Sequence, residues 1–306
     1  MILLTGAQGF IGTSLLSRLR DLGEPVIPLH RAAGARAFTD KWECDLTRRD
    51  DLMILSSIST APDTIIHLAG YVEISLRENP QAREAPPLPG PEDVSQTYAC
   101  NVGATANLLD YCLKAGVRRL IFASSQSVYG MPQSTPLTEE TPCVPLEHYA
   151  LSKLCCEQML RIGAQQGLAV TVLRIPGIFS EKRQRGLVFE FCRQAIQEKE
   201  IRVTTEFPVP LDVLHLDDAI EAFVKAVRYE PPDWTCMNIS TGAACSVDLL
   251  ADEIAALVPG CRVKHGQVSQ PVVQMDPTRA ETMLGWKAVP RSVRLTSMLE
   301  GIGHAN

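Results

Sequence analysis

The chain opens on Ile2-Leu3-Leu4-Thr5 and passes straight into Gly6-Ala7-Gln8-Gly9-Phe10-Ile11-Gly12, three glycines between an apolar run and a helical pattern. No other stretch restricts the fold as much. A strand that turns this tightly into a helix reads as the first half of a βαβ unit, whose return to a parallel strand is right-handed. The glycines let the backbone approach an anion, and the N–H groups and dipole of the following helix favour phosphate. The turn therefore suits the pyrophosphate of a dinucleotide, with Gly6, Gln8, Gly9, Phe10, Ile11 and Gly12 around it. A turn that is merely tight is the plain alternative for three glycines taken alone.

The first half of the chain continues the alternation. Strand candidates are 2–5, 26–29, a stretch ending at Cys44, 64–69, 120–124 and 169–175. One helical pattern covers 10–22, with Ile11, Leu15, Leu19 and Leu22 on a face and Gly23 as its stop. A second covers about 96–115 and stops at Gly116. A third starts near His148 and ends before Gly167, with the stripe Leu151, Leu154, Cys155, Gln158 and Ile162 at helical spacing. Strands alternating with helices predict an α/β chain: a doubly wound parallel (Rossmann) sheet with a smaller C-terminal substrate-binding lobe. Residues 1–174 form the dinucleotide-binding domain, with a return segment near 212–242, and 175–306 form mainly the lobe. Pro28 cannot donate to a ladder, so it belongs at the carboxyl end of its strand. The proline-rich stretch 80–91 reads as a surface loop, and its exit from the fourth strand places it beside a substrate pocket.

Composition sets limits on partners. A net charge of −6 in 306 residues disfavours nucleic acid, which asks for a basic face. No segment reaches the ~18 uninterrupted apolar residues of a membrane span. Strand-like sequence from Ile2 leaves no room for a signal peptide. Ten cysteines without a C-x-x-C pair read as free thiols of a reducing, cytoplasmic compartment, and no metal site is expected.

Later strand ends agree with a cofactor. Asp45-Leu46 can offer a carboxylate to an adenine amino group; a helix cap with Thr47 is the alternative. His67-Leu68-Ala69-Gly70 closes the fourth strand with small residues, as a backbone beside a cofactor requires, and His67 itself reads as a buried, satisfied histidine. The second strand ends in Leu29-His30-Arg31, with no acid for a ribose 2′-hydroxyl and an arginine suited to a 2′-phosphate. NADP is therefore preferred slightly over NAD.

Tyr149-Ala150-Leu151-Ser152-Lys153 puts a phenol and an ammonium on one helix face. A tyrosine with a pKa of about 10 is a poor base near neutrality, and a neighbouring ammonium brings it down. Such a pair is common by chance. It gains weight beside the glycine turn and the hydroxyl-rich Ser124-Ser125-Gln126-Ser127-Val128-Tyr129-Gly130.

With these motifs in this order, the chain resembles the extended short-chain dehydrogenase/reductase family, the NAD-dependent epimerases, dehydratases and reductases of nucleotide sugars. TGAQGFIG, CDL, HLAG, NVGAT (101–105), SSQSVYG, YALSK, LRIPGIF, VLHLDDA (213–219) and LGW (284–286) carry the likeness over nearly the whole chain. The resemblance implies Ser125, Tyr149 and Lys153 as the catalytic set, Lys153 also holding the nicotinamide ribose, with Asn101 and Pro176 near the cofactor. Asp217 and Asp218 read as helix caps. Family dehydratases carry acids at the two places held here by Gln126 and Ser127, so dehydration is disfavoured. What remains is 4-keto reduction of a (nucleotide-)sugar, with a sugar-nucleotide epimerase as the alternative and a non-catalytic cofactor sensor as a different class. A homodimer through helices 101–115 and 149–162 is also implied. Two departures stand out: Leu211 replaces a family arginine near the substrate nucleotide, and the glycine turn before it is missing. Lys182, Arg183 and Arg185 could compensate; a solvated basic loop is the plainer reading.

Overall fold

The computed structural model describes residues 1–31, 42–57, 61–72, 91–132, 134–205 and 207–304. The 80–91 stretch lies outside the described residues except for Pro91.

Six parallel strands form the central sheet in the order β2-β1-β3-β4-β5-β9, where β1 is Ile2–Thr5, β2 Val26–Pro28, β3 Thr64–His67, β4 Arg119–Ser125, β5 Ala169–Ile175 and β9 Trp234–Asn238. The strands are apolar on both faces because helices cover both. Along β1, Leu4 faces α1 (Phe10–Asp21) and α6 (Leu216–Arg228), packing with Ile66, Ile121, Phe223 and Trp286. Leu3 faces the opposite way with Ile65, Leu120 and Phe122, towards α3 (Ala104–Ala115) and α4 (His148–Ala164). A third core, around Phe179, Phe191, Ile201, Val213, Leu250 and Leu295, gathers α5 (Leu187–Gln197), α7 (Val247–Ala256) and α9 (Arg291–His304). Two short parallel pairs accompany it, β6 (Gly177–Phe179) with β8 (Val213–His215) and β7 (Glu200–Arg202) with β10 (Arg262–Lys264). Thr278–Leu284 is α8.

The chain leaves β1 towards β2 on one side and returns to β3 on the other. At such a reversal the connections diverge and open a crevice beyond the carboxyl ends of the strands.

Several expectations are sharpened. Pro28 does end β2, and β2 edges the sheet; Leu29 N donates to Leu4 O at 2.8 Å, so the missing N–H of Pro28 falls on the side away from β1. The strand expected to end at Cys44 is, among the described residues, only a bridge between His30 and Glu43. The helix expected from about 96 begins at Pro91 as α2 (Pro91–Tyr98) and passes through a π-turn, Ala99–Gly103, before α3. Gly116 stops it with φ 68°.

On α4 the apolar stripe proved to be the outer face. Leu151 and Ile162 are 40% and 58% exposed, while Lys153, Cys156, Glu157 and Leu160 face the sheet. Polar side chains occupy the inner face because β4 and β5 offer them partners. Asp217 and Asp218 stand in the first turn of α6, but the cap is His215, whose Nδ1 accepts from Asp217 N at 3.3 Å. Asp218 is buried and binds Arg294 through both oxygens, at 2.7 and 2.9 Å. Among the described residues no helix is long and apolar enough to cross a membrane, and none form a His/Cys/Asp/Glu group that could hold a metal. All ten cysteines are free thiols.

Candidate active site

The site begins where β1 runs out. Gly6 has φ 68°, and a Cβ there would lie 2.7 Å from Ala69 N; a Cβ on Gly12 would lie 2.1 Å from Gly6 O. The turn therefore closes only with glycine. It delivers α1 with Gly9 as N-cap, no side chain capping it and no acid in its first turn. A helix start left open in this way suits a phosphate. Gly6, Gly9, Phe10, Ile11 and Gly12 line one side of a cavity of about 640 Å³, and a dinucleotide fits this donor set.

The other walls hold the proposed chemistry. Leu68, Gly70, Ser125, Tyr149, Lys153 and Pro176 all reach the same cavity. Ser125 ends β4, one residue beyond the strand end read from sequence, and caps the 3-10 turn Gln126–Tyr129. Its Oγ accepts from Ser127 N at 3.2 Å and from Ser127 Oγ at 2.9 Å. The Ser125 hydroxyl also stands beside the Tyr149 phenol.

Tyr149 stands in the first turn of α4. Burial pushes its phenol up to about 12; the Ser125 bond works the other way, and Glu147 adds to the rise. This is contrary to the lowering expected from the Tyr149–Lys153 spacing. Lys153 Nζ donates to Ala123 O at 2.9 Å and lies 5.9 Å from the Tyr149 ring centre. Burial brings that ammonium down to about 8, against the opposing charges of Cys156 and Glu157. Gly70 leaves the room it needs: a Cβ there would come within 3.2 Å of Asn101 Oδ1 and 3.3 Å of Lys153 Nζ.

Other candidates lie apart. Asn101 is buried in the π-turn, where Oδ1 accepts from Tyr71 N (2.6 Å) and Nδ2 donates to Tyr71 O (2.9 Å) and Ser152 Oγ (2.8 Å). It ties Tyr71, beyond the end of β3, to Ser152 on α4. Asp45 accepts from Thr47 N (3.0 Å) and Thr47 Oγ1 (2.8 Å), closing a turn ahead of the 3-10 helix Arg49–Ser57 rather than capping it. Burial raises its carboxyl, but those bonds and the charges of Arg31 and Arg48 hold it below its ordinary value. Gln8, Leu46 and Ala69 do not line the cavity; Leu46 is core, and Ala69 N donates to Thr5 Oγ1 at 3.1 Å. His67 is buried between Thr5 Oγ1 (2.7 Å) and Thr105 Oγ1 (3.0 Å), and burial pushes it down to about 3.

Sequence reading missed a buried network behind the site. Glu157 accepts from Ser124 Oγ at 2.5 Å and pairs with Arg174 through Nη2 at 2.7 Å and Nε at 3.1 Å. Arg174 Nη1 donates to Tyr129 Oη (2.9 Å), which donates to Asn238 Oδ1 (2.7 Å). The signal was present, since Glu157 follows Tyr149 and Lys153 at the i+4 step that keeps one helix face. Asp212, also missed, lines the cavity beside Gln126; burial pushes its carboxyl up to about 6 against bonds from Ser240 and Val213 N. Gln126 itself is spent on the chain ahead of it, accepting from Asp212 N at 3.1 Å.

Comparison with known proteins follows the same lines. Residues 2–239 match the family described as NAD dependent epimerase/dehydratase. A UDP-glucose 4-epimerase of Azospirillum brasilense is 32% identical over 181 residues, 56% of this chain and 47% of that one. The UDP-glucose 4-epimerase of Mycolicibacterium smegmatis is 27% identical over 307 residues, covering 93% of this chain and 92% of its own. The UDP-glucose 4-epimerase of Thermotoga maritima, solved with UDP-glucose, superposes with a TM-score of 0.78 at 22% identity, over 99% of both chains. At that identity the superposition speaks for a shared fold.

Proposed function

The chain belongs to the NAD dependent epimerase/dehydratase family, and on that footing we propose that it moves hydride at a sugar carbon with Ser125, Tyr149 and Lys153 as its catalytic set. One observation carries the reading: these three side chains open onto the same cavity as the glycine turn. Ser125 would hydrogen-bond the substrate oxygen, and Tyr149 would exchange its proton at the phenol oxygen. Lys153 would fix the nicotinamide ribose. A bound nicotinamide supplies or takes up the hydride. Its positive ring, when oxidised, favours the phenolate that burial otherwise opposes.

The finer reading is 4-keto reduction of a (nucleotide-)sugar. Gln126 and Ser127, which line the cavity beside Ser125, have no acid to offer a dehydration. Epimerisation through a transient ketone is the second reading, supported by relatives that are named UDP-glucose 4-epimerases. Identifying the cofactor that copurifies, then following nicotinamide absorbance with 4-keto and 4-hydroxy sugars, separates the two. Retained NAD without net redox change means epimerisation. If Tyr149→Phe turns over as fast as the parent, the catalytic set is wrong.

Exposed Arg31 at the end of β2 supports NADP, while Glu43, bridged to His30 beside it, supports NAD. Arg31→Ala lowers affinity for NADP by tenfold or more if the first is right, and leaves it unchanged if the second is. The exposed Leu151 and Ile162 on α4 support a homodimer through this face; Ile162→Glu should then give a monomer by sedimentation.

A further inference from the structure

Gln126 follows Ser125 directly, yet its side chain leaves the hydroxyl cluster and reaches a distant part of the chain. Its Oε1 accepts from Asp212 N at 3.1 Å and its Nε2 donates to Pro210 O at 3.4 Å, across 86 and 84 residues of sequence. The amide meets these partners in one sense only, because a backbone N–H asks for an acceptor and a carbonyl for a donor. A carbonyl and the N–H two residues later are the pair that one residue of a neighbouring parallel strand would take. Gln126 therefore imitates a strand neighbour for residues 210–212, and Leu211 between them is bridged to Val272.

The far end of this segment is fixed as well. Asp212 is fully buried. Its carbonyl accepts from Gly177 N at 3.0 Å, its Oδ1 from Val213 N at 2.7 Å and its Oδ2 from Ser240 Oγ at 2.6 Å. Every polar group of Asp212 thus has a partner, and its N–H is the one that turns to the end of β4. A node held on all sides gives the tie from Gln126 something rigid to pull against.

Both ends of the tie belong to the site. Ser125, Gln126, Ser127, Pro210, Leu211 and Asp212 line the cavity that Tyr149 and Lys153 reach. Gln126 is only 8% exposed, so water does not readily replace a bond that it loses. The hydroxyl beside Tyr149 and the segment entering β8 are in this way kept at one spacing by an amide two bonds wide.

We propose that Gln126 is a positioning residue: it holds residues 210–212 at a set distance from Ser125, so that a sugar resting against them is presented to Ser125 and Tyr149. The inference rests on the hydride-transfer reading of this site and names a side chain that serves it through its neighbours.

The test is Gln126→Met in the full chain, which keeps the length of the side chain and removes both bonds. Backbone hydrogen exchange is followed by mass spectrometry on peptides spanning 207–214 and 2–12. Initial rates are measured with UDP-glucose and UDP-galactose as probes. A misplacement of about an ångström costs about 100-fold in rate, and part of that is expected here. The expected result is exchange at least about tenfold faster in 207–214 and unchanged in 2–12, with kcat lower by about tenfold or more. Dissociation constants for NAD and NADP stay at the parent's values. Gln126→Asn, a methylene short of both partners, gives the same pattern and takes over should the methionine variant not fold. A role in stability alone would lower Tm and leave kcat at 25 °C unchanged; that result overturns the proposal, as does parent-like exchange in 207–214 or an equal loss of cofactor affinity. A parent chain that turns over neither sugar also overturns the positioning role, and the exchange then tells a missing tie from a missing reaction. Failure of the hydride-transfer reading shows separately, as turnover that Tyr149→Phe does not reduce.

Discussion

Glu157→Gln takes one negative charge from a side chain that is 1% exposed and holds three hydrogen bonds, one from Ser124 Oγ and two from Arg174. The amide oxygen can keep part of this set, but its NH2 group then faces donors. Arg174, itself buried, is left with the Tyr129 hydroxyl and the Glu139 carbonyl as partners and with no opposite charge in contact. Removing one partner of a buried ion pair costs about 3–5 kcal/mol. The orphaned donors are contained in that figure rather than added to it. Against a total stability of roughly 5–15 kcal/mol, the loss is large. Urea unfolding should show it as a lower midpoint at unchanged slope. Glu157→Leu with Arg174→Met should recover about 2 kcal/mol of it, because no bare charge remains. A loss below about 1 kcal/mol for Glu157→Gln, or a double variant worse than the sum of its singles, would refute the reasoning. Since the pair ties α4, with Tyr149 and Lys153, to the strand behind Ser125, turnover should fall further than cofactor affinity.

Gly70→Ala should lower kcat by roughly threefold to tenfold, since a Cβ 3.3 Å from Lys153 Nζ moves it by a few tenths of an ångström and a full ångström costs about 100-fold, while thermal stability changes little; unchanged kcat would refute the close approach. A second prediction concerns pH. His67, pushed from 6.5 down to about 3, contributes stability that is present above pH 6.5 and lost as pH falls towards 3. Asp212, pushed from 3.8 up to about 6, contributes stability that is present below 3.8 and lost as pH rises through 6. Between pH 4 and 6 the two oppose each other, one proton each. Asp212→Asn uncovers the first, so its stability should fall on acidification by roughly 1.4 kcal/mol per pH unit more than the parent's; identical pH profiles from urea melts would count against it. Finally, spectrophotometric titration of the cofactor-free chain should find the Tyr149 phenol still protonated at pH 11, absent in a Tyr149→Phe difference spectrum, and Ser125→Ala should delay it further.

How much was legible follows from what kind of contact each feature uses. The glycine turn, β5 and the helix stop at Gly116 depend on local sterics and short-range periodicity, and each lies where the residues alone place it. Motif order singled out Ser125, Tyr149 and Lys153, which the fold brings to one cavity. Pro28 was read correctly at a strand end, although its place on the sheet edge was not visible, because edge position is a property of strand order.

The failures share a cause. Periodicity marked the stripe Leu151–Ile162 on α4 without showing which way it faces, since apolar spacing is all that a sequence shows. In the fold, the partners of Lys153 and Glu157 come from β4 and β5, so the polar face turns inward and the apolar one is left outside. The phenol of Tyr149 was expected to be lowered by its lysine neighbour, but desolvation depends on everything packed around it and prevails. Residues 207–211 looked only like a departure from a familiar pattern until the fold placed them on the same cavity as the glycine turn. Sequence alone thus determined the alternating fold, the glycine turn and which side chains were candidates for the site, because these are written in steric and spacing rules that act within a few residues. Which faces are buried, what charge each group carries and which side chains share one cavity were decided only by tertiary structure, where residues from distant strands meet and water is excluded.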